Sequence, residues 1–120
     1  MVILADTSVW IDHLRRKNDH FDSLLNEGVI AVHPFAIGEI ACGKLKNRRE
    51  ILTLLQALPE APVVSQDELL HFIDGRGLSG SGIGFVDAHL LASSELIKAM
   101  LWTMDRSLQR AASKLDLSYT

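Results

Sequence analysis

The 120-residue sequence has one cysteine, Cys42, three prolines, one tyrosine and only 6% aromatic residues. A single cysteine excludes an internal disulfide, so the fold must hold by packing, as expected in a reducing compartment such as the cytoplasm. Long apolar runs are also missing. Every hydrophobic stretch meets a charge well before the ~20 residues that a membrane span requires. The opening Met1-Val2-Ile3-Leu4-Ala5-Asp6 lacks the basic flank of a secretory signal, and no membrane partner is expected. Nor is there an excess of positive charge. Twelve Lys and Arg against 15 Asp and Glu leave a net charge of −3, so no global field advertises nucleic-acid binding. What is present is 48% hydrophobic and 22% charged residues, too apolar for a disordered chain and enough for an ordinary core. At this length one domain over residues 1–120 is expected.

Val2 to Ala5 is a short apolar run ending in the capping residues Asp6-Thr7-Ser8, followed by Val9, Trp10, Ile11 and Leu14 at helical spacing. That reads as strand, then helix. A second helix is expected over about Asn18 to Glu27, a strand over Val29 to Val32, and a helix opened by His33-Pro34 that runs to about Gly43 and contains Glu39. Ile51, Leu54, Leu55 and Leu58 predict an amphipathic helix from Asn47 to Leu58. Val63-Val64 reads as a short third strand, and Ser65 with Glu68 as a capping box starting a helix through Ile73.

Five of the eight glycines crowd into Gly75 to Gly84, a loop read as mobile beside a cleft. Its literal G-x-G-x-x-G follows a helical pattern instead of a first strand, so a dinucleotide site is rejected. A helix over Phe85 to Ile97, a strand over Met100 to Thr103, a helix over Asp105 to Leu115 and an edge strand at Leu117 to Tyr119 complete the series. The alternation predicts an α/β fold with a parallel sheet covered on both faces. Trp10 and Trp102 read as core, Cys42 as a small buried hydrophobe, and the five histidines show no metal spacing.

Four carboxylates stand out because each adjoins apolar residues: Asp6, Glu39, Asp87 and Asp105. Singly, each has an ordinary explanation as a helix cap, a first-turn acid or an ion-pair partner. Jointly, the edge at which parallel strands end gathers the residues that follow them. Asp6 and Asp105 become neighbours there if the first and fourth strands are adjacent. Asp87 opens the helix leading into the fourth strand, and an antiparallel helix is expected to begin at the opposite edge unless the Gly75–Gly84 loop carries its start across. If all four converge, their repulsion calls for a divalent cation. An all-oxygen donor set selects Mg²⁺ or Mn²⁺, one or two ions, whose chemistry with activated water is phosphoryl transfer.

Val2-Ile3-Leu4-Ala5-Asp6-Thr7-Ser8-Val9-Trp10, Glu39 within Phe35 to Gly43, Gly84-Phe85-Val86-Asp87-Ala88-His89-Leu90-Leu91-Ala92, and Leu101-Trp102-Thr103-Met104-Asp105-Arg106 together resemble the PIN domain. The likeness is greatest to the VapC ribonuclease toxins of type II toxin–antitoxin systems. The resemblance implies a three-layer α/β/α fold with a central parallel sheet. It implies Mg²⁺- or Mn²⁺-dependent endonucleolytic cleavage of RNA, with Asp6, Glu39, Asp87 and Asp105 as the converging catalytic, metal-binding acids. Thr7, Ser8 and Thr103 would be supporting hydroxyls. It also implies a homodimer silenced by a small VapB-type antitoxin whose tail enters the active-site groove, with operator DNA bound through the antitoxin.

One stretch departs from the family pattern. An aromatic and a Val-Pro-Gly-like stretch often follow the last acid, whereas here Leu108 and Ala111-Ala112-Ser113-Lys114-Leu115 continue a helix. Basic residues near the acids, Arg15-Arg16-Lys17, Lys44, Lys46, Arg48, Arg49, Arg106 and Arg110, offer phosphate contacts. Three other readings compete. A receiver-like phosphoacceptor domain needs an acceptor after its middle strand, which here gives Ser65-Gln66-Asp67, and a late Lys, which is missing after Tyr119. A haloacid-dehalogenase-like phosphatase needs Asp-x-Asp, and position 8 is serine. A catalytically silent PIN-fold interaction domain is disfavoured because no expected acid is replaced. Setting the four acids aside leaves 11 acids against 12 bases, a net of +1, so the negative charge is concentrated and not general.

Overall fold

In the computed structural model, which describes residues 1–119, the central strand β1 (Ile3–Ala5) pairs in parallel with β2 (Ile30–Ala31) on one side and β3 (Met100–Trp102) on the other. Ile3 lies opposite Ile30 and Met100, Leu4 opposite Ala31 and Leu101, and Ala5 opposite Trp102. All three residues of β1 are fully buried, as a strand covered on both faces requires.

Because successive strand residues point to opposite faces, the core divides in two. Leu4, Ala31 and Leu101 pack with Leu90, Leu91, Leu108 and Ala112. Ile3, Ala5, Ile30 and Val32 pack with Val9, Trp10, Phe21, Ile40 and Leu55. Each large side chain so buried contributes roughly 1.5–3 kcal/mol. One face of the sheet is therefore covered by α6 (Phe85–Ile97) and α7 (Arg106–Lys114). The other carries α1 (Thr7–Arg15), α2 (Asp19–Asn26), α3 (Pro34–Cys42) and α4 (Arg48–Gln56). The result is the expected α/β/α layering. A seventh helix, α5 (Gln66–Gly75), packs on α6 through Leu69, Ala88 and Ala92. It starts with the anticipated capping box: Glu68 N–H donates to Ser65 Oγ at 3.1 Å, and Ser65 N–H to Glu68 Oε1 at 3.0 Å.

Four expectations need correction. No strand forms at Val63-Val64. The chain touches β2 earlier, in a single bridge between Val32 and Glu60, and Pro59 and Pro62 on either side lack the N–H groups that would extend a ladder. The edge strand at Leu117 to Tyr119 is reduced to one parallel bridge, Leu101 to Ser118, because α7 ends at Lys114 and a left-handed turn at Asp116 (φ 58°) delivers only a short segment to β3. Cys42 is exposed: it follows the buried Ile40 by two residues, roughly 200° around α3. Finally, a helix antiparallel to the strand that it feeds begins at that strand's carboxyl end. Asp87 therefore lies at the same edge as Asp6 and Asp105 without any carrying loop.

The loop over residues 76–84 is anchored by buried Leu78. At Gly82 its backbone is left-handed (φ +86°), a conformation that favours glycine, and it packs beside Ser107 of α7. Among the described residues no helix is long and apolar enough to cross a membrane.

Candidate active site

β1 ends at Ala5, and α1 must start at once. Asp6 serves both elements. Its N–H donates to the Trp102 carbonyl at 3.0 Å, joining the ends of β1 and β3, and its Oδ1 caps α1 by accepting from Val9 N–H at 3.3 Å. Ser8 Oγ donates to the same oxygen at 2.5 Å, and Thr103 Oγ1 donates to Oδ2 at 2.5 Å. Burial pushes the Asp6 carboxyl above its ordinary range, and these hydroxyl and amide donors pull it part of the way back.

Asp105 repeats the arrangement one strand over. It caps α7 through Oδ2, which accepts from Leu108 N–H at 2.9 Å, and its own N–H donates to Thr103 Oγ1 at 3.0 Å. One hydroxyl thus links two acids. Ser8 makes a second link, accepting from Met104 N–H at 2.9 Å while donating to Asp6. Glu39, exposed in the middle of α3, accepts from Thr7 Oγ1 at 2.6 Å, which ties α3 to the first turn of α1.

Asp87 sits in the first turn of α6, where Oδ2 accepts from Gly84 N–H at 3.1 Å. Burial raises its carboxyl; the Gly84 hydrogen bond opposes that, and the negative charges of Asp105, Asp6 and Glu39 add to it. The four acids share one electrostatic field. Among the described residues, no three carboxylates, imidazoles or thiols stand ready to grip a metal ion unaided. Among the described residues, Glu39, Asp87 and Asp105 each accept a hydrogen bond on one carboxylate oxygen, whereas Asp6 accepts on both. Such an all-oxygen set suits Mg²⁺ or Mn²⁺, hard ions satisfied by a few carboxylates and several waters instead of a full protein cage.

Beside these acids lies a ring cluster that the sequence pattern did not reveal. His33 caps α3, its Nδ1 accepting from Phe35 N–H at 2.9 Å, which puts the proton of the neutral ring on Nε2. Burial first, then neighbouring His89, lowers its pKa to about 4. Phe35 and Phe85 each approach His89 at 4.7 Å between ring centroids, and they stack on one another at 6.2 Å. The available signal was local: Phe35 precedes Glu39 by one helical turn, and Phe85 precedes Asp87 by two residues.

A groove next to Asp6 is lined by Ser8, Ile11, Asp12, Arg15, Arg16 and Met104. Arg16 is paired with Asp12 at 3.1 Å and Lys17 with Asp22 at 3.6 Å, while Arg15 is exposed. Arg48 is engaged differently, donating to the carbonyls of Ala41 and Gly43 at the end of α3. Trp10 is core as expected, and Trp102 is half-buried against Phe21 and Tyr119.

A three-layer parallel fold with acids gathered at the carboxyl edge of its sheet defines a recognisable class. The PIN domain model matches residues 3–114, and the chain belongs to the PIN domain family. Within that family it is 44% identical over 114 residues to Ribonuclease VapC32 of Mycobacterium tuberculosis, in two strains, with 94% of this chain and 92% of the relative covered. Among solved structures, PAE2754 from Pyrobaculum aerophilum matches with a TM-score of 0.66 at 20% identity, covering 92% of this chain and 84% of that one. FitAcB from Neisseria gonorrhoeae matches with a TM-score of 0.66 at 18% identity, covering 98% and 95%. At those identities the two structures speak for the fold.

Proposed function

We infer that this protein is an endoribonuclease of the VapC type, the toxin of a VapBC toxin–antitoxin pair. One observation carries the reading: the chain is 44% identical over 94% of its length to a protein named as a ribonuclease, and the charges of Asp105, Asp6 and Glu39 reach the partly buried Asp87. These four acids would hold one or two Mg²⁺ or Mn²⁺ ions. The chemistry supplied there would be that of a hard Lewis acid, activating water and offsetting charge on the phosphodiester oxygens.

The chain's own residues supply the positioning. Thr103 and Ser8 fix Asp6 from two sides, Thr7 fixes Glu39, and the Gly84 N–H fixes Asp87. Acids held in this way need little reorganisation as charge moves in the transition state. Arg15, at the end of the groove beside Ser8, contacts an RNA phosphate and so sets substrate position without reading sequence. The partners follow from the same reading: a second copy of the chain, and a VapB-type antitoxin that blocks the groove and carries the complex to operator DNA. The receiver-like alternative loses its middle strand, since none forms at Val63-Val64.

RNA cleavage with and without chelator, by the wild type and by Asp6→Asn, tests the proposal. Mg²⁺-dependent cutting by the wild type, lost in Asp6→Asn with the fold intact, is expected. Undiminished cutting in excess chelator, or by Asp6→Asn, would overturn it.

A further inference from the structure

Phe85 leaves 57% of its surface exposed, yet its ring is not loose. It stacks on Phe35 with 23° between the ring planes, and His89 meets it edge-on at 4.7 Å. Behind them His33 packs on Phe35 at 5.0 Å. An aromatic side chain held from below has already lost the rotamer freedom that a partner would otherwise have to remove.

The ring is also fixed relative to two of the acids. Phe85 opens α6, and the preceding residue, Gly84, donates its N–H to Asp87. Phe35 lies one turn before Glu39 on α3. The platform is thus continuous with the candidate catalytic edge.

Its surroundings decide what fits on it. Along the chain, exposed Ser81, Gly82 and Gly84 precede it, and the flanking apolar residues Ile83 and Val86 are half-buried. A partner helix needs a stripe of anchors at three- and four-residue spacing, which one ring with glycine beside it does not provide. A flat π face needs only one ring, and unpaired bases of single-stranded RNA stack on aromatic side chains in this way.

We propose that Phe85, backed by Phe35 and His89, is a stacking platform for one nucleobase adjacent to the scissile phosphodiester. This rests on the ribonuclease reading above. Because every base has a π face, the contact fixes the position of that base without reading its identity.

The test is steady-state cleavage of a short single-stranded RNA in Mg²⁺ by the wild type, Phe85→Leu and Phe85→Trp, with each nucleotide flanking the mapped cut replaced in turn by an abasic one. Leucine keeps apolar bulk and removes the π face, so kcat/KM is expected to fall about 5- to 150-fold, while tryptophan, which keeps a π face, is expected to lose less than leucine does. One flanking abasic substitution should weaken the wild type to the level of Phe85→Leu and leave that variant unaffected. The wild-type abasic series is readable even if a variant folds poorly. Wild-type kcat/KM in Phe85→Leu, or abasic effects equal in both proteins, would overturn the platform while leaving the ribonuclease reading standing. So would a Phe85→Leu protein that cuts RNA normally but escapes its antitoxin, since the ring would then be a protein contact. A wild type that cuts no RNA would overturn both.

Discussion

Thr103→Val removes one oxygen and keeps the shape of the side chain. Thr103 is 8% exposed; it donates to Asp6 Oδ2 at 2.5 Å and accepts from Asp105 N–H at 3.0 Å. A hydrogen bond to a charged group is worth about 1.5–3 kcal/mol. The second bond adds little, since Asp105 is exposed and water can replace the acceptor. The expected loss is therefore about 2 kcal/mol, or about 8 °C in melting temperature for a chain of this size.

The pH dependence identifies the cause. Burial already holds the Asp6 carboxyl above its ordinary range, and losing a donor to its ionised form raises it further. A carboxyl whose pKa is raised by folding favours the fold while protonated and costs stability as pH rises through the folded pKa. The deficit of Thr103→Val should thus be full at pH 7 and shrink as pH falls through the carboxylate range towards 4. Urea unfolding of both proteins across that range measures it. An equal deficit at both ends, or none at pH 7, would refute the assignment of this bond to ionised Asp6.

Asp87→Asn keeps an acceptor for the Gly84 N–H and removes a charge that burial and three other acids disfavour. In chelator at pH 7 it should melt above the wild type, with the gain vanishing as pH falls through the carboxylate range; a lower melting temperature would contradict the shared field. His33 is neutral in the fold down to about pH 4, whereas an unfolded histidine takes its proton near 6.5. Stability should therefore fall between pH 6.5 and 4, by about 3 kcal/mol at the lower end, and His33→Asn, which retains a cap acceptor, should flatten that slope in urea titrations. Arg15→Ala should weaken RNA binding and reduce the dependence of log K on log salt by about 0.7, one single-strand phosphate contact.

Features coded within a few residues were readable from the chain. Asp6-Thr7-Ser8 after an apolar run marked the β1–α1 junction, Ser65 and Glu68 marked α5, and the helix opened by Asp105 ends at Lys114, one residue before the expected boundary. The adjacency of β1 and β3 was legible only as a condition for bringing Asp6 to Asp105, and that pairing is present. Sheet edges were less legible, because prolines 59 and 62 and the Asp116 turn limit the outer segments to single bridges whatever their β-propensity. The contact of Phe35 with Phe85 and His89 was hidden for a different reason: it joins helices about fifty residues apart, and no local period records it, unlike the Phe85–His89 pair four residues apart on α6. Cys42 was misread because hydrophobic character decides less than its angular place on α3.

If the four carboxylates at one sheet edge form a divalent metal centre, Mn²⁺ titration followed by electron paramagnetic resonance will read it. The wild type is expected to bind one or two Mn²⁺, displaceable by Mg²⁺, with Asp6→Asn binding far more weakly while remaining folded. No Mn²⁺ bound by the wild type, or wild-type affinity in Asp6→Asn, would contradict it.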